Sequence, residues 1–322
     1  MKRFAWMAQV LVAMLFVLSV SCGKDSSPTG LDNGGDGGID IGVGDPPDIQ
    51  GMTFVTIPGG SFRMGDIQGG GSDNERPDNE ITLDGFEMSI TEVTQVQYVS
   101  VIGSDPSQHF TIDNHPVENV SWYDAARFCN TLSEATGLES CYNESTWESD
   151  FSRNGFRLPT EAEWEYACRA GTETRFYTGN HISSPKHYST DLNQAGWYSG
   201  NWGNWQGPLA MNTHVVREKE PNAFGLYDMH GNVWEWCNDW YGYSYYGSSP
   251  SSNPTGSTSG SDRVVRGGSV SDGAWYCRSA FRGCGPPVLK KYNYGFRVVR
   301  RPEQQADSPF EQNKQEPPTL SE

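Results

Sequence analysis

Residues 51–301 hold only two stretches with the 3.6-residue apolar period of an amphipathic helix, and that scarcity limits what the chain can fold into. The first spans 121–136 (SWYDAARFCNTLSEAT). Ser121 is placed to cap it, Asp124 sits in the first turn, and Trp122, Ala125, Ala126, Cys129 and Leu132 form one apolar stripe. The second begins at 159–164, where Thr160 and Glu163 make a capping box and Trp164, Ala167 and Cys168 share a face. Short strands are predicted at 52–57, 80–88, 263–266 and 295–299, the last with Arg297 and Arg300 flanking an apolar pair. Everything else must be ordered by turns, by buried rings or by metal, and the chain has 11 tryptophans, 15 tyrosines and 37 glycines for the purpose. Loops this long inside one domain are either functional or held by something other than secondary structure. With no internal repeat, the expectation is one loop-rich α+β domain over 51–301.

The two ends read differently. Lys2 and Arg3 precede an apolar run at 8–20 that is short for a membrane span, so residues 1–22 read as a signal peptide. The run ends Leu18-Ser19-Val20-Ser21-Cys22 and resembles a bacterial lipobox, with Cys22 as the lipidated residue; Ser19 stands where leucine is usual. An ordinary secretory peptide cleaved nearby is the alternative, and both export the chain. Residues 23–50, rich in Gly and Asp, and the tail 302–322 lack the apolar content to offset ordering entropy and read as disordered linker and tail. The Asp/Gly run at 32–45 has a faint likeness to calcium-binding repeats, but one ragged copy reads as linker.

The formal charge is −17, and without Lys2 and Arg3 it becomes −19, from 21 basic against 40 acidic side chains. That balance argues against a nucleic-acid partner and suits solubility or calcium equally. Beyond Cys22 there are six cysteines, at 129, 141, 168, 237, 277 and 284, and an even count in an exported protein suggests disulfides without choosing among fifteen pairings. His109, His181, His187 and His214 show no metal-ligand spacing, and there is no GxSxG, Walker or dinucleotide motif.

Seven ordered blocks then carry a resemblance: IPGGSFRMGD at 57–66, ITEVTQVQYV at 90–99, HPVENVSWYDAARFCN at 115–130, FRLPTEAEWEYACRAG at 156–171, PNAFGLYDMHGNVWEW at 221–236, RGGS at 266–269 and GFRVV at 295–299. Over 52–301 the chain resembles the formylglycine-generating enzyme (sulfatase-modifying factor) family. The resemblance implies a compact α+β fold of low regular secondary structure, related to C-type lectins.

It also implies a chemistry. Active members bind one copper ion through two cysteines and, with O2, convert the cysteine of a CxPxR-type motif to formylglycine. Two soft thiolates favour Cu(I). Those cysteines lie three and eight residues after the serine of RGGS, which here gives Asp272 and Cys277. Counting back from Gly295 shifts the register by three and places neither. A carboxylate is a hard oxygen donor, so the pair is broken and Cys277 is catalytic only if the chain is active; Cys284, in a Gly-Cys-Gly-Pro-Pro turn, reads as structural rather than as a substitute. Trp234 and Ser269 match positions lining the family's cleft, with Asp272 beside them. In the family the HGNVWEW turn binds structural calcium, and the corresponding positions are Asp228, Gly231, Val233 and Glu235.

Three functions follow as expectations. The first is a lipid-anchored envelope protein that binds a peptide, a glycan or a partner protein without oxidising it. The second is a divergent copper-dependent oxidase of exported substrates. The third is a structural lipoprotein of an envelope or secretion assembly.

Overall fold

The computed structural model describes residues 51–108, 114–183, 186–201 and 212–302. Cys22, His109, the signal peptide, the linker and all but the first residue of the tail lie outside them. Strand β1 (Phe54–Ile57) leads through Pro58 and Gly59 into β2 (Gly60–Met64), and β3 (Asn79–Leu83) turns tightly into β4 (Phe86–Ser89). The single strand predicted over 80–88 is therefore two strands. Asp84 and Gly85 break it, because β3 pairs with β2 while β4 pairs with β1 in a different sheet.

Helix α1 (Gln95–Ile102) has a Thr94–Gln97 capping box and ends at Gly103 in the left-handed region. It was missed in the sequence because only Gln95 and Tyr98 are buried, too few to mark a stripe. Helices α2 (Trp122–Ala135) and α3 (Glu161–Arg169) fall where the periodicity puts them. Ser121 with Asp124 and Thr160 with Glu163 form the expected boxes. A single turn, α4 (Leu192–Ala195), follows.

The second half is built on a four-stranded sheet in the order β7-β6-β5-β8. Its members are β5 (Trp234–Trp240), β6 (Arg263–Arg266), β7 (Gly283–Gly285) and β8 (Tyr294–Gly295). β5 and β8 run parallel; the other pairs are antiparallel. The strand expected at 295–299 is likewise divided. Gly295 ends β8, and β9 (Val299–Arg300) crosses to pair with β4. β5 escaped the sequence reading because its first six residues are all buried, so it shows no alternation.

Two large cores lie around these sheets. One joins α2 to β5 and β8 through Trp122, Phe128, Phe156, Trp236 and Phe296; the other joins β1–β4 to α3 through Ile57, Met88, Trp164 and Val264. Between them runs a web of buried ion pairs. Glu161 holds Arg282 at 2.6 Å, Glu75 holds Arg278 at 2.8 Å, Glu163 holds Arg157 at 2.7 Å, and Glu165 holds Arg169 at 2.8 Å and also Arg266. Buried charges survive only when paired and hydrogen-bonded, and each of these carboxylates accepts from at least one guanidinium. All six described cysteines are free thiols, five of them buried. The expectation of disulfides is corrected accordingly: rings and ion pairs hold this fold together.

Candidate functional site

The RGGS turn leaves β6 with Gly267 at φ 90° and Gly268 at φ 73°, a left-handed pair that side-chain-bearing residues resist. At Gly268 space is closed as well. A Cβ there would lie 2.6 Å from Cys277 Sγ and 3.0 Å from Cys277 Cα. The turn lies flat on the short 3-10 segment Ala274–Cys277, and Cys277 is sealed beneath it. Its thiol packs in a small core with Phe176, Leu192, Ala195 and Tyr198. Burial pushes that thiol well above the ordinary range, and the nearby Asp272 carboxylate adds to the shift.

Asp272 occupies the middle of a hydrogen-bonded group. Its Oδ2 accepts from Trp234 Nε1 at 2.8 Å and from the Ser269 hydroxyl. Ser269, fully buried, also accepts from Asn293 Nδ2 at 2.9 Å, and Asn293 reaches Ser271 Oγ at 3.1 Å. Burial raises the Asp272 carboxyl above its usual range, opposed by the Ser269 and Trp234 hydrogen bonds. The three residues assigned to the binding cleft, Trp234, Ser269 and Asp272, are thus brought together, with Cys277 behind them in the core. Sequence reasoning missed Asn293 and Ser271. Asn293 lies between two tyrosines just ahead of GFRVV and carries no local signal of its partner 24 residues earlier. Cys284 is exposed on the edge strand β7.

The HGNVWEW turn lies next to this site. Gly231 has φ 88°, and a Cβ on it would meet the Trp197 carbonyl oxygen at 2.0 Å, so only glycine fits. Asn232, at φ 54°, donates from Nδ2 to Glu92 at 2.9 Å, and Val233 N donates to the same carboxylate. His230 Nδ1 contacts the Cys277 carbonyl at 2.8 Å and its Nε2 accepts from Tyr177 N at 3.3 Å, so the ring bridges the two halves of the site as a neutral imidazole. Burial lowers its pKa to about 3.

Of the four positions assigned to calcium, Glu235 is engaged elsewhere. Both its oxygens bind Arg297, at 2.7 and 2.8 Å, and one also accepts from Trp164 Nε1 at 2.8 Å. Asp228 accepts from Arg217 N through Oδ2, while its Oδ1 is buried with no partner. Burial pushes Asp228 up to about 6 and raises Glu92 well above the carboxylate range; the Glu235 charge adds to both shifts, and the Asp228 charge adds to that of Glu92. Three buried carboxylates therefore share one guanidinium. By charge the place suits a cation, and of the four assigned positions Glu235 is already committed to Arg297. Among the described residues no group of three or more His, Cys, Asp or Glu side chains is arranged to bind a metal ion.

Comparison with known proteins fits this picture. Residues 44–302 match the family model described as a sulfatase-modifying factor enzyme 1-like domain. The chain is similar to the formylglycine-generating enzyme of Mus musculus, 31% identical over 76% of this chain and 74% of that protein. It is also similar to the chaperone protein LppX of Paenibacillus barcinonensis, 32% identical over 59% of this chain and 72% of that one. Among solved structures, Treponema denticola variable protein 1 superposes with a TM-score of 0.68 at 33% identity, covering 78% of this chain and 95% of that one. The chain belongs to the sulfatase-modifying factor family and has the formylglycine-generating-enzyme fold, an α+β fold related to C-type lectins.

Proposed function

We propose that this member of the family is a binding module rather than an oxidase. The observation that carries the reading is the pairing at the RGGS turn. Asp272 stands where one copper thiolate is needed and is tied to Trp234 and Ser269, while the remaining thiol, Cys277, is sealed under Gly268. Cu(I) prefers soft thiolates, and a protonated, solvent-excluded thiol beside a carboxylate offers neither the ligand nor the open position. What the site leaves partly open to solvent is Ser271 and Asp272, with the exposed ring of Tyr276 nearby in the sequence, a surface suited to holding a peptide, glycan or envelope protein.

The sequence motif at Cys22 supports an exported, lipid-anchored module, and no described helix is long and apolar enough to cross a membrane. Calcium in the HGNVWEW turn would be structural, offsetting the excess negative charge of Glu92 and Asp228.

The test is direct. Purified protein is titrated with Cu(I) and incubated with O2 and a peptide carrying a Cys-x-Pro-x-Arg motif. The binding-module reading expects no tight copper and no aldehyde product by mass spectrometry. Stoichiometric Cu(I) with formylglycine formation would overturn it in favour of a divergent oxidase.

A further inference from the structure

Beside the start of helix α1 lies a cup of about 140 Å³, lined in part by Thr53, Thr91, Thr94, Gln97, Asn114 and Arg217. Its acceptors are spent. The carbonyls of Gly51, Thr53, Ile90, Thr91, Thr94 and Asn114 accept, in that order, from Gln97 Nε2, Ile90 N, Tyr227 N, the Ser89 hydroxyl, Tyr98 N and Val216 N, at 2.8–3.0 Å. Gln97 Oε1 accepts from Thr94 N at 2.9 Å.

Its donors are not spent. Thr91 is only 7% exposed, yet its hydroxyl meets no described residue and is not among the atoms sealed without a partner, so what is open of it faces the cup. The Thr53 hydroxyl is likewise unengaged among the described residues, and Gln97 keeps one amide hydrogen. Arg217 is exposed, and its guanidinium lies 5.1 Å over the Tyr227 ring and reaches no described carboxylate. Its backbone is held at φ 68° by the N–H donating to Asp228 Oδ2 at 2.8 Å. Thr94 caps α1, so the positive end of an eight-residue helix borders the same space. No described residue lining the cup is acidic, in a chain with 40 acidic side chains against 23 basic ones.

A guanidinium, hydroxyls and an amide hydrogen among spent acceptors match a ligand that brings negative charge and acceptors of its own. The donors belong to separate stretches: Thr53 ahead of β1, Thr91 after β4, Gln97 in α1 and Arg217 far along the chain. They approach from more sides than the two oxygens of a planar carboxylate can serve. At about 30 Å³ per water the cup has room for about five, enough for four oxygens around one centre. We propose that this cup binds a tetrahedral oxyanion, phosphate or sulfate, as the free ion or as the head group of a monoester. None of its residues belongs to the Trp234, Ser269 and Asp272 group, so the inference stands apart from the binding-module reading.

The experiment titrates the full chain with sodium phosphate, sodium sulfate and sodium acetate, at an ionic strength held constant with chloride. It follows the backbone N–H resonances of Thr91 and Arg217. The expected result is saturable shifts with phosphate and sulfate, and acetate weaker by about tenfold. Methyl phosphate separates the two sources: binding as tight as inorganic phosphate assigns the cup to a monoester, and its exclusion assigns the cup to the free ion. Arg217→Gln should weaken phosphate by about tenfold or more, because a charge-assisted pair is lost. Thr91→Val removes a hydroxyl that bonds to no described residue and should weaken phosphate severalfold. Lys291→Gln, which removes an exposed cation outside the cup, should leave phosphate binding unchanged. Acetate as tight as phosphate overturns the tetrahedral assignment. No saturable shift, phosphate binding untouched by both Arg217→Gln and Thr91→Val, or an equal loss with Lys291→Gln overturns the site.

Discussion

Native-state thiol labelling discriminates a core Cys277 from a catalytic one. Five of the six described cysteines are buried and only Cys284 is exposed, so a thiol reagent should modify Cys284 quickly and Cys277 only through opening of the fold. If that opening costs about 7 kcal/mol, at about 1.4 kcal/mol per tenfold, the reactive fraction is about 10⁻⁵. Gly268→Ala perturbs this in a calculable direction. An alanine at φ 73° costs about 1–2 kcal/mol, and overlap of its Cβ with Cys277 Sγ at 2.6 Å adds about 1–2 kcal/mol. The sum of about 2–4 kcal/mol should raise Cys277 labelling by roughly 30- to 700-fold while leaving Cys284 unchanged. Alkylation for timed intervals, then peptide mapping of each cysteine by mass spectrometry, measures both rates and keeps Cys22 separate. Wild-type Cys277 reacting as fast as Cys284 would refute the sealed-thiol argument, and with it the main support for a non-oxidising protein.

Other outcomes follow from the same packing. Glu165→Ala removes the shared partner of Arg169 and Arg266 and should cost about 3–5 kcal/mol in urea unfolding; a loss below about 1 kcal/mol would mean the web is ornamental. His230, neutral in the fold with a pKa of about 3, must take up a proton on unfolding below pH 6.5, so its contribution to stability is present above pH 6.5 and is lost as pH falls toward 3. The slope is about 1.4 kcal/mol per pH unit, His214 at about 4 adds to it, and His230→Gln should flatten the curve between pH 4 and 6. Calcium at a hundredfold excess over its dissociation constant should stabilise by about 2.7 kcal/mol, reversed by EDTA and absent in Asp228→Asn. An unfolding midpoint indifferent to calcium and to EDTA would remove calcium from the turn.

What the sequence disclosed depended on how local the cause was. The starts of helices α2 and α3 were legible because their boxes, Ser121 with Asp124 and Thr160 with Glu163, lie three positions apart. The division of 80–88 and 295–299 was not, because each break reflects which distant strand is paired. At the site, Asp272 and Cys277 could be counted from Ser269, but the sealing of the thiol depends on how the RGGS turn lies on residues 274–277. The commitment of Glu235 to Arg297, 62 residues away, was equally out of reach, and so was Asn293.

The ion-pair web has a consequence for how the chain is made. Arg278 meets Glu75 across 203 residues, Arg282 donates to the Asn74 carbonyl across 208, and Arg297 to that of Ser89 across 208. No N-terminal fragment can satisfy these groups, since the guanidiniums arrive last. Such closure is slow, because loop entropy is spent before any contact returns it. The segment from Arg278 to Arg297 acts as a lock, closing the domain only when its last part has been made.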